Sequence, residues 1–155
     1  YEGIWRHGDY VRITERGGVV VYGRSDSTLN PGGIRIGTAE IYRIVESLSE
    51  IQDSVVVGQK YDNDVRVILF VVLKQGFELN DELKIKIKTE LRMKATPRHV
   101  PFDIFQISEV PVTISGKKVE IAITQILDDE EVKNKSALAN PIALEQFYGI
   151  KKLLS

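Results

Sequence analysis

Residues 65–73 read VRVILFVVL, a run in which almost every side chain is apolar and several are β-branched. It is half the length of a membrane span, which needs about 18 to 20 apolar residues. It has no polar face to offer water, so it predicts a central strand covered on both sides. The stretch DSVVVG at 53–58 is a second strand candidate, and Asp62-Asn63-Asp64 supplies turn chemistry between the two.

The rest of the chain gives this strand pair a frame. Residues 1–24 predict a β-hairpin with Gly17-Gly18 at its turn. Turn-forming residues follow, from Ser25, Asp26 and Ser27 to Asn30-Pro31-Gly32-Gly33. A helix is expected from Thr38, its proposed cap, with Ile41, Ile44, Val45 and Leu48 on one face and Glu40 near the positive end of the helix dipole. The segment NDELKIKIKTELRMK fits both periods: Leu83, Ile85 and Ile87 alternate like a strand, while Leu83, Ile87 and Leu91 repeat like a helix. Its length and the Asn80/Asp81 start favour a helix. Pro97 and Pro101 bracket an extended segment. FDIFQI is a short strand, 111–116 a loop, KKVEIAITQIL a helix, and 128–155 a tail with an amphipathic turn or two. The order predicts an α+β fold: a small, mostly antiparallel sheet with flanking helices. A boundary is expected near 24–27.

Composition excludes several functions. The 155 residues carry a net charge of −1, no basic excess to support nucleic-acid binding, and no cysteine for disulfides, thiolate catalysis or cysteine-bound zinc. His7 and His99 lack partners at a catalytic spacing and read as structural. The opening residues have no signal-peptide layout, no apolar run spans a membrane, and a cytoplasmic location is expected. The chain lacks an initiator Met and starts in the middle of a strand pattern, so a piece of a larger protein is expected.

Three places could carry chemistry. Asp9 could accept hydrogen bonds from vicinal hydroxyls, or be a turn aspartate. Arg24 and Arg35 flank the glycine-rich segment; they suit phosphate or carboxylate, or are solvated. Lys117 and Lys118 follow Gly116, where a lysine could reach a phosphate as a point charge or open a helix. The helix reading is odd, because cations are unfavourable at a helix N-terminus. The Lys84/Lys86/Lys88 row reads as a solvated face.

Together, WRHGD, GRSDSTLNPGGIRIGTAEIYR and VPVTISGKK resemble, in order and spacing, the C-terminal end of adenylate-forming enzymes: acyl-CoA synthetases, luciferases and peptide-synthetase adenylation domains. WRHGDY, PRHVP and the tail NKSALANPIALEQF look most like the acetoacetate-activating branch. The resemblance implies a two-step reaction with ATP (and Mg) and CoA. Acetoacetate is first joined to AMP with loss of pyrophosphate, then transferred to CoA, and the small C-terminal domain rotates between the steps. It implies that residues 1–25 end a large N-terminal domain and contain the hinge, and that 26–155 form the mobile domain. By position, Lys117 matches the adenylation lysine, Asp9 the ribose-binding acid, and Arg24 the arginine beside that ribose. Arg35 matches an arginine near the nucleotide phosphates, Asp26 the hinge, and Gly33 the glycine that lets the pantetheine arm of CoA pass. Lys118 is expected to point away, and Lys88 or Arg92 is a loose match for a contact to CoA phosphate. The phosphate loop, adenine pocket and acyl pocket belong to the absent large domain, so this piece alone is expected to be inactive. Ligases of acetate or propionate, and a non-catalytic ferredoxin-like interaction module, are the alternatives.

Overall fold

The computed structural model describes residues 9–24, 28–132 and 135–154. Strands β1 (Asp9–Ile13) and β2 (Val19–Arg24) form the expected antiparallel hairpin. Gly17, at φ 76°, turns the chain, and Thr14 closes the turn by donating to the Gly18 carbonyl at 2.7 Å.

The main sheet has the order β3 (Ile51–Tyr61), β4 (Asp64–Leu73), β5 (Asp103–Gln106). The apolar run is the central strand, as its composition demands. β3 and β4 pair antiparallel across a two-residue turn in which Asp62 and Asn63 both adopt positive φ, 48° and 59°. Both central residues in the left-handed region make a hairpin turn whose twist matches that of the strands. β5 lies parallel to β4, so the chain must cross over, and α2 (Asp81–Lys94) is the crossover.

The period-2 geometry of β4 deals its side chains to two cores. Val67, Leu69 and Val71 pack with α1 (Thr38–Val45) and α2 through Ile41, Ile44, Ile87 and Leu91. Ile68, Phe70 and Val72 pack on the other face with α3 (Glu120–Leu127) and α4 (Glu145–Leu154) through Ile123, Ile126 and Phe147. Phe70 and Phe147 are fully buried and meet edge to face, with ring centres 4.9 Å apart. The segment read as a tail therefore supplies Val132, Leu138, Leu144, Phe147 and Leu154 to one core.

The outer side of β3 is an edge, and side chains cover its backbone. Val56 N–H donates to the Tyr42 hydroxyl at 3.2 Å, Lys60 N–H donates to Asp128 at 3.0 Å, and the Ser54 carbonyl accepts from the Lys118 ammonium at 2.6 Å. Satisfying edge groups in this way removes a template for pairing with another chain.

Several local expectations are corrected. Thr38 does not cap α1: the N-cap is Gly37, and Thr38 is the buried first residue of the helix. α2 is helical because its buried residues Leu83, Ile87 and Leu91 share one face, leaving Ile85 65% exposed. The Asn80 side chain caps it by accepting from Leu83 N–H at 2.9 Å. The segment between Pro97 and Pro101 is not extended; Pro97–His99 is a 3-10 turn capped by Thr96. The helix expected from Lys117 begins at Glu120, which puts an acid rather than two cations in its first turn. Lys84, Lys86 and Lys88 are partly open to solvent, and each also has a partner. They bond to Asp103 at 3.1 Å, Glu50 at 2.5 Å and the Phe102 carbonyl at 3.0 Å, tying α2 to its neighbours.

Candidate functional site: two glycine-bearing loops

The first loop spans residues 29–36. Leu29 and Ile36 exchange both backbone hydrogen bonds, at 3.0 and 2.9 Å, and bury their side chains in the α1/α2 core. Between them Pro31–Gly33 makes one 3-10 turn. Gly32 and Gly33 take φ 58° and 75°, conformations that L side chains rarely adopt. Nothing lies within 4 Å of where a Gly33 side chain would start, so its surface is open, whereas a side chain at Gly32 would meet Arg98 at 3.0 Å. Asp64, at the β3–β4 turn, accepts from Gly32 N–H at 2.8 Å and from its neighbour Val65 N–H at 2.7 Å. These two donors, Val65 first, hold its carboxyl below the usual aspartate range. Arg35 is exposed on the outgoing arm.

The second loop spans residues 111–119 and is a small ribbon. Thr113 N–H donates to the Lys117 carbonyl at 2.8 Å, Gly116 N–H to the Thr113 carbonyl at 2.8 Å, and Lys117 N–H to the Thr113 hydroxyl at 3.0 Å. Gly116 turns the chain at φ 78°. The two lysines that follow differ completely. Lys118 reaches inward: its ammonium bonds Glu46 at 2.5 Å, Asp53 at 2.6 Å and the Ser54 carbonyl, and lies 4.3 Å from the centre of the Tyr42 ring. Tyr42 is itself fixed by donating to Glu120 at 2.9 Å, and burial, then the Glu120 charge, raises its pKa well above the usual phenol value. Lys117 is exposed, and among the described residues no hydrogen bond or ion pair engages its ammonium.

The structure thus places Lys117 at a fixed loop tip and Gly33 and Arg35 on the glycine loop. Asp9 and Arg24 are register partners across β1 and β2, so the two residues matched to one ribose stand directly opposite each other; their side chains lie outside the description. Asp26 and His7 lie outside the described residues. His99 is structural: it is buried, with Nε2 3.1 Å from Glu40 and Nδ1 2.9 Å from the Thr96 hydroxyl. Lys88 is occupied by the Phe102 carbonyl, and Arg92 is exposed on α2. Among the described residues no cluster of three acidic or histidine side chains could hold a metal, and no helix is long and apolar enough to cross a membrane.

Sequence reasoning missed the anchors. The carboxylates around Lys118 come from 72 and 65 residues away, and Asp64 lies 32 residues from Gly32. No local pattern announces such pairs; the one available signal was the odd placement of two cations ahead of α3.

The profile of the AMP-binding enzyme C-terminal domain matches residues 40–117, half of the chain, and the chain belongs to that family. Similarity to particular members runs further. The acetoacetyl-coenzyme A synthetase of Rhizobium meliloti is 49% identical over 155 residues, covering 100% of this chain and 24% of that protein. That of Xenopus tropicalis is 45% identical, covering 99% and 23%. The structure of acetoacetyl-CoA synthetase from Streptomyces lividans superposes with a TM-score of 0.87 at 37% identity, covering 100% of this chain and 24% of that one. The chain therefore spans about a quarter of the length of these relatives.

Proposed function

We propose that this chain is the mobile C-terminal domain of an ATP-dependent acid–CoA ligase that converts acetoacetate, ATP and CoA into acetoacetyl-CoA, AMP and pyrophosphate. The acid is chosen on the similarity of the whole chain, its last residues included, to acetoacetyl-CoA synthetases. The observation that carries the site is the contrast between neighbouring lysines: Lys118 is consumed by carboxylates, while Lys117 offers an unengaged ammonium at the tip of a hydrogen-bonded ribbon.

In the first step the acetoacetate carboxylate attacks the α-phosphorus and pyrophosphate leaves. Negative charge accumulates on the oxygens between the two reactants, and the Lys117 ammonium would sit against them. Arg35 would lie near the nucleotide phosphates. Asp9 and Arg24, paired across the hairpin, would hold the ribose hydroxyls. The chain would then turn about Asp26, and Gly33, open and without a side chain, would let the pantetheine arm reach the adenylate. The thiol displaces AMP, which takes the bonding electron pair, and no cysteine of this chain is required. The first 25 residues would complete the large domain, and residues 26–155 would be the part that swings. Among the described residues no cluster of acidic or histidine side chains fits a site for the Mg²⁺ that accompanies ATP.

The test is Lys117→Ala in the full-length protein. Acetoacetate-dependent pyrophosphate release should fall roughly 10²-fold or more, the scale of removing one preorganised charge-stabilising donor. Transfer from supplied acetoacetyl-adenylate to CoA should persist. Unchanged pyrophosphate release would refute the lysine's role, and a preference for acetate or propionate over acetoacetate would refute the substrate.

A further inference from the structure

We propose that Asn140, in the C-terminal segment, is a positioning residue for the adenylation step: it fixes the root of the ribbon that carries Lys117. This rests on the assignment of Lys117 above. A two-stranded ribbon is marginal by itself and gains definition from a third strand. Here residues 137–139, leaving the 3-10 turn Lys135–Ala137, take that place with a single β-bridge. Ile114 N–H donates to the Ala137 carbonyl at 3.1 Å, Ala139 N–H donates to the Val112 carbonyl at 2.9 Å, and Leu138 bridges Thr113 and is buried in the core below.

Asn140 completes the junction with three bonds from one carboxamide. Its Oδ1 accepts from Val112 N–H at 2.9 Å, and its Nδ2 donates to the Val110 carbonyl at 3.0 Å and to Glu109 Oε2 at 2.8 Å. The chemistry fixes the orientation: the amide N–H of Val112 can only face the oxygen, and the two acceptors can only face the nitrogen. Neither aspartate nor leucine, the isosteric choices, could serve all three partners. Gln146 on α4 extends the same clamp, accepting from Ser108 N–H at 2.9 Å and donating to the Glu109 carbonyl at 2.8 Å. The segment from 108 to 112 is thus held by the C-terminal residues, and Lys117 projects from its far end. A small rotation at this root displaces the ammonium at the tip, and a misplacement of about 1 Å can cost on the order of 10²-fold in rate.

The experiment compares the two half-reactions in the full-length enzyme carrying Asn140→Ala, Asn140→Asp or Lys117→Ala. Pyrophosphate release reports the first step, and thioester formation from supplied acetoacetyl-adenylate reports the second. Their ratio does not depend on how much of a variant is active, so a merely structural role leaves it unmoved. Asn140→Ala should lower the first step about tenfold and leave the second within twofold. If that variant does not fold, the isosteric Asn140→Asp carries the same expectation. A parallel loss in both steps, or no loss in either, overturns the proposal provided that Lys117→Ala abolishes the first step. If Lys117→Ala leaves the first step intact, the assignment of Lys117 itself has failed, and the role of Asn140 falls with it.

Discussion

The two glycine-bearing loops differ in how much of their support is directional. Residues 29–36 are seated by apolar side chains: Leu29 and Ile36 are both 3% exposed, and one carboxylate, Asp64, pins the turn from outside. Residues 111–119 also rest Val112 and Val119 on a core, but they add polar bonds from several distant segments, with Lys118 tied to Glu46 and Asp53 on one flank and 137–140 on the other. Burial is non-directional, so it holds a loop down without aiming it. Hydrogen bonds and ion pairs are directional and fix an orientation. The difference matches what each loop is proposed to do. Gly33 need only leave a passage open, whereas Lys117 has to meet an atom.

The comparison breaks most violently if the C-terminal helix is unseated. Phe147 is fully buried against Phe70, and Phe147→Ala should cost about 3–5 kcal/mol. Because α4 and the 137–140 segment leave the core together, backbone hydrogen exchange in 111–119 should accelerate before that in 29–36, which rests on the other face of the sheet. Equal acceleration in both peptides would mean that the loops share one support.

A smaller break comes from the other flank. Lys118→Met keeps an apolar stem beside Tyr42 but leaves Glu46 and Asp53 facing each other without the cation between them. The loss should be about 1–2 kcal/mol, since all three groups are partly solvated. Thermal melting checks it. A melting temperature unchanged within error would show that the charge cluster contributes nothing to holding the ribbon.

The glycine loop was legible because its information is local. Gly32, Gly33 and Pro31 name their own backbone conformations, and the unbroken apolar run at 65–73 dictated the strand beneath the loop. The lysine ribbon was only half legible. Gly116 marked the turn, but which of Lys117 and Lys118 is free depends on carboxylates that the fold brings in from residues 46 and 53. The tail misled for the same reason. Leu144, Phe147, Ile150 and Leu154 do recur at helical spacing, but that they and Leu138 fill a core defined by β4 and α3 depends on partners far along the chain. Thr38 was read as a cap from its residue type, and tertiary packing overrode that preference by burying it.

The smallest effect isolates the single polar pin of the glycine loop. Asp64 is fully exposed, so its bonds to Gly32 and Val65 N–H hold a conformation more than they add to global stability. Its carboxyl is shifted downward in the folded chain, so the folded state binds fewer protons than the unfolded one as pH crosses the carboxylate range. The contribution is therefore complete above the ordinary aspartate value of about 4 and is lost as pH falls through the lower folded value. In an NMR titration the amide protons of Gly32 and Val65 should move together, with a midpoint below that ordinary value. Those of Thr113 and Lys117, whose acceptors are a carbonyl and a hydroxyl, should stay in place over the same range. Asp64→Asn keeps an oxygen acceptor but no titratable group, so it should abolish the Gly32 transition without releasing the turn. A midpoint at or above the ordinary value, or a matching transition at Lys117, would erase the distinction between a loop pinned by one carboxylate and a ribbon seated by several distant segments.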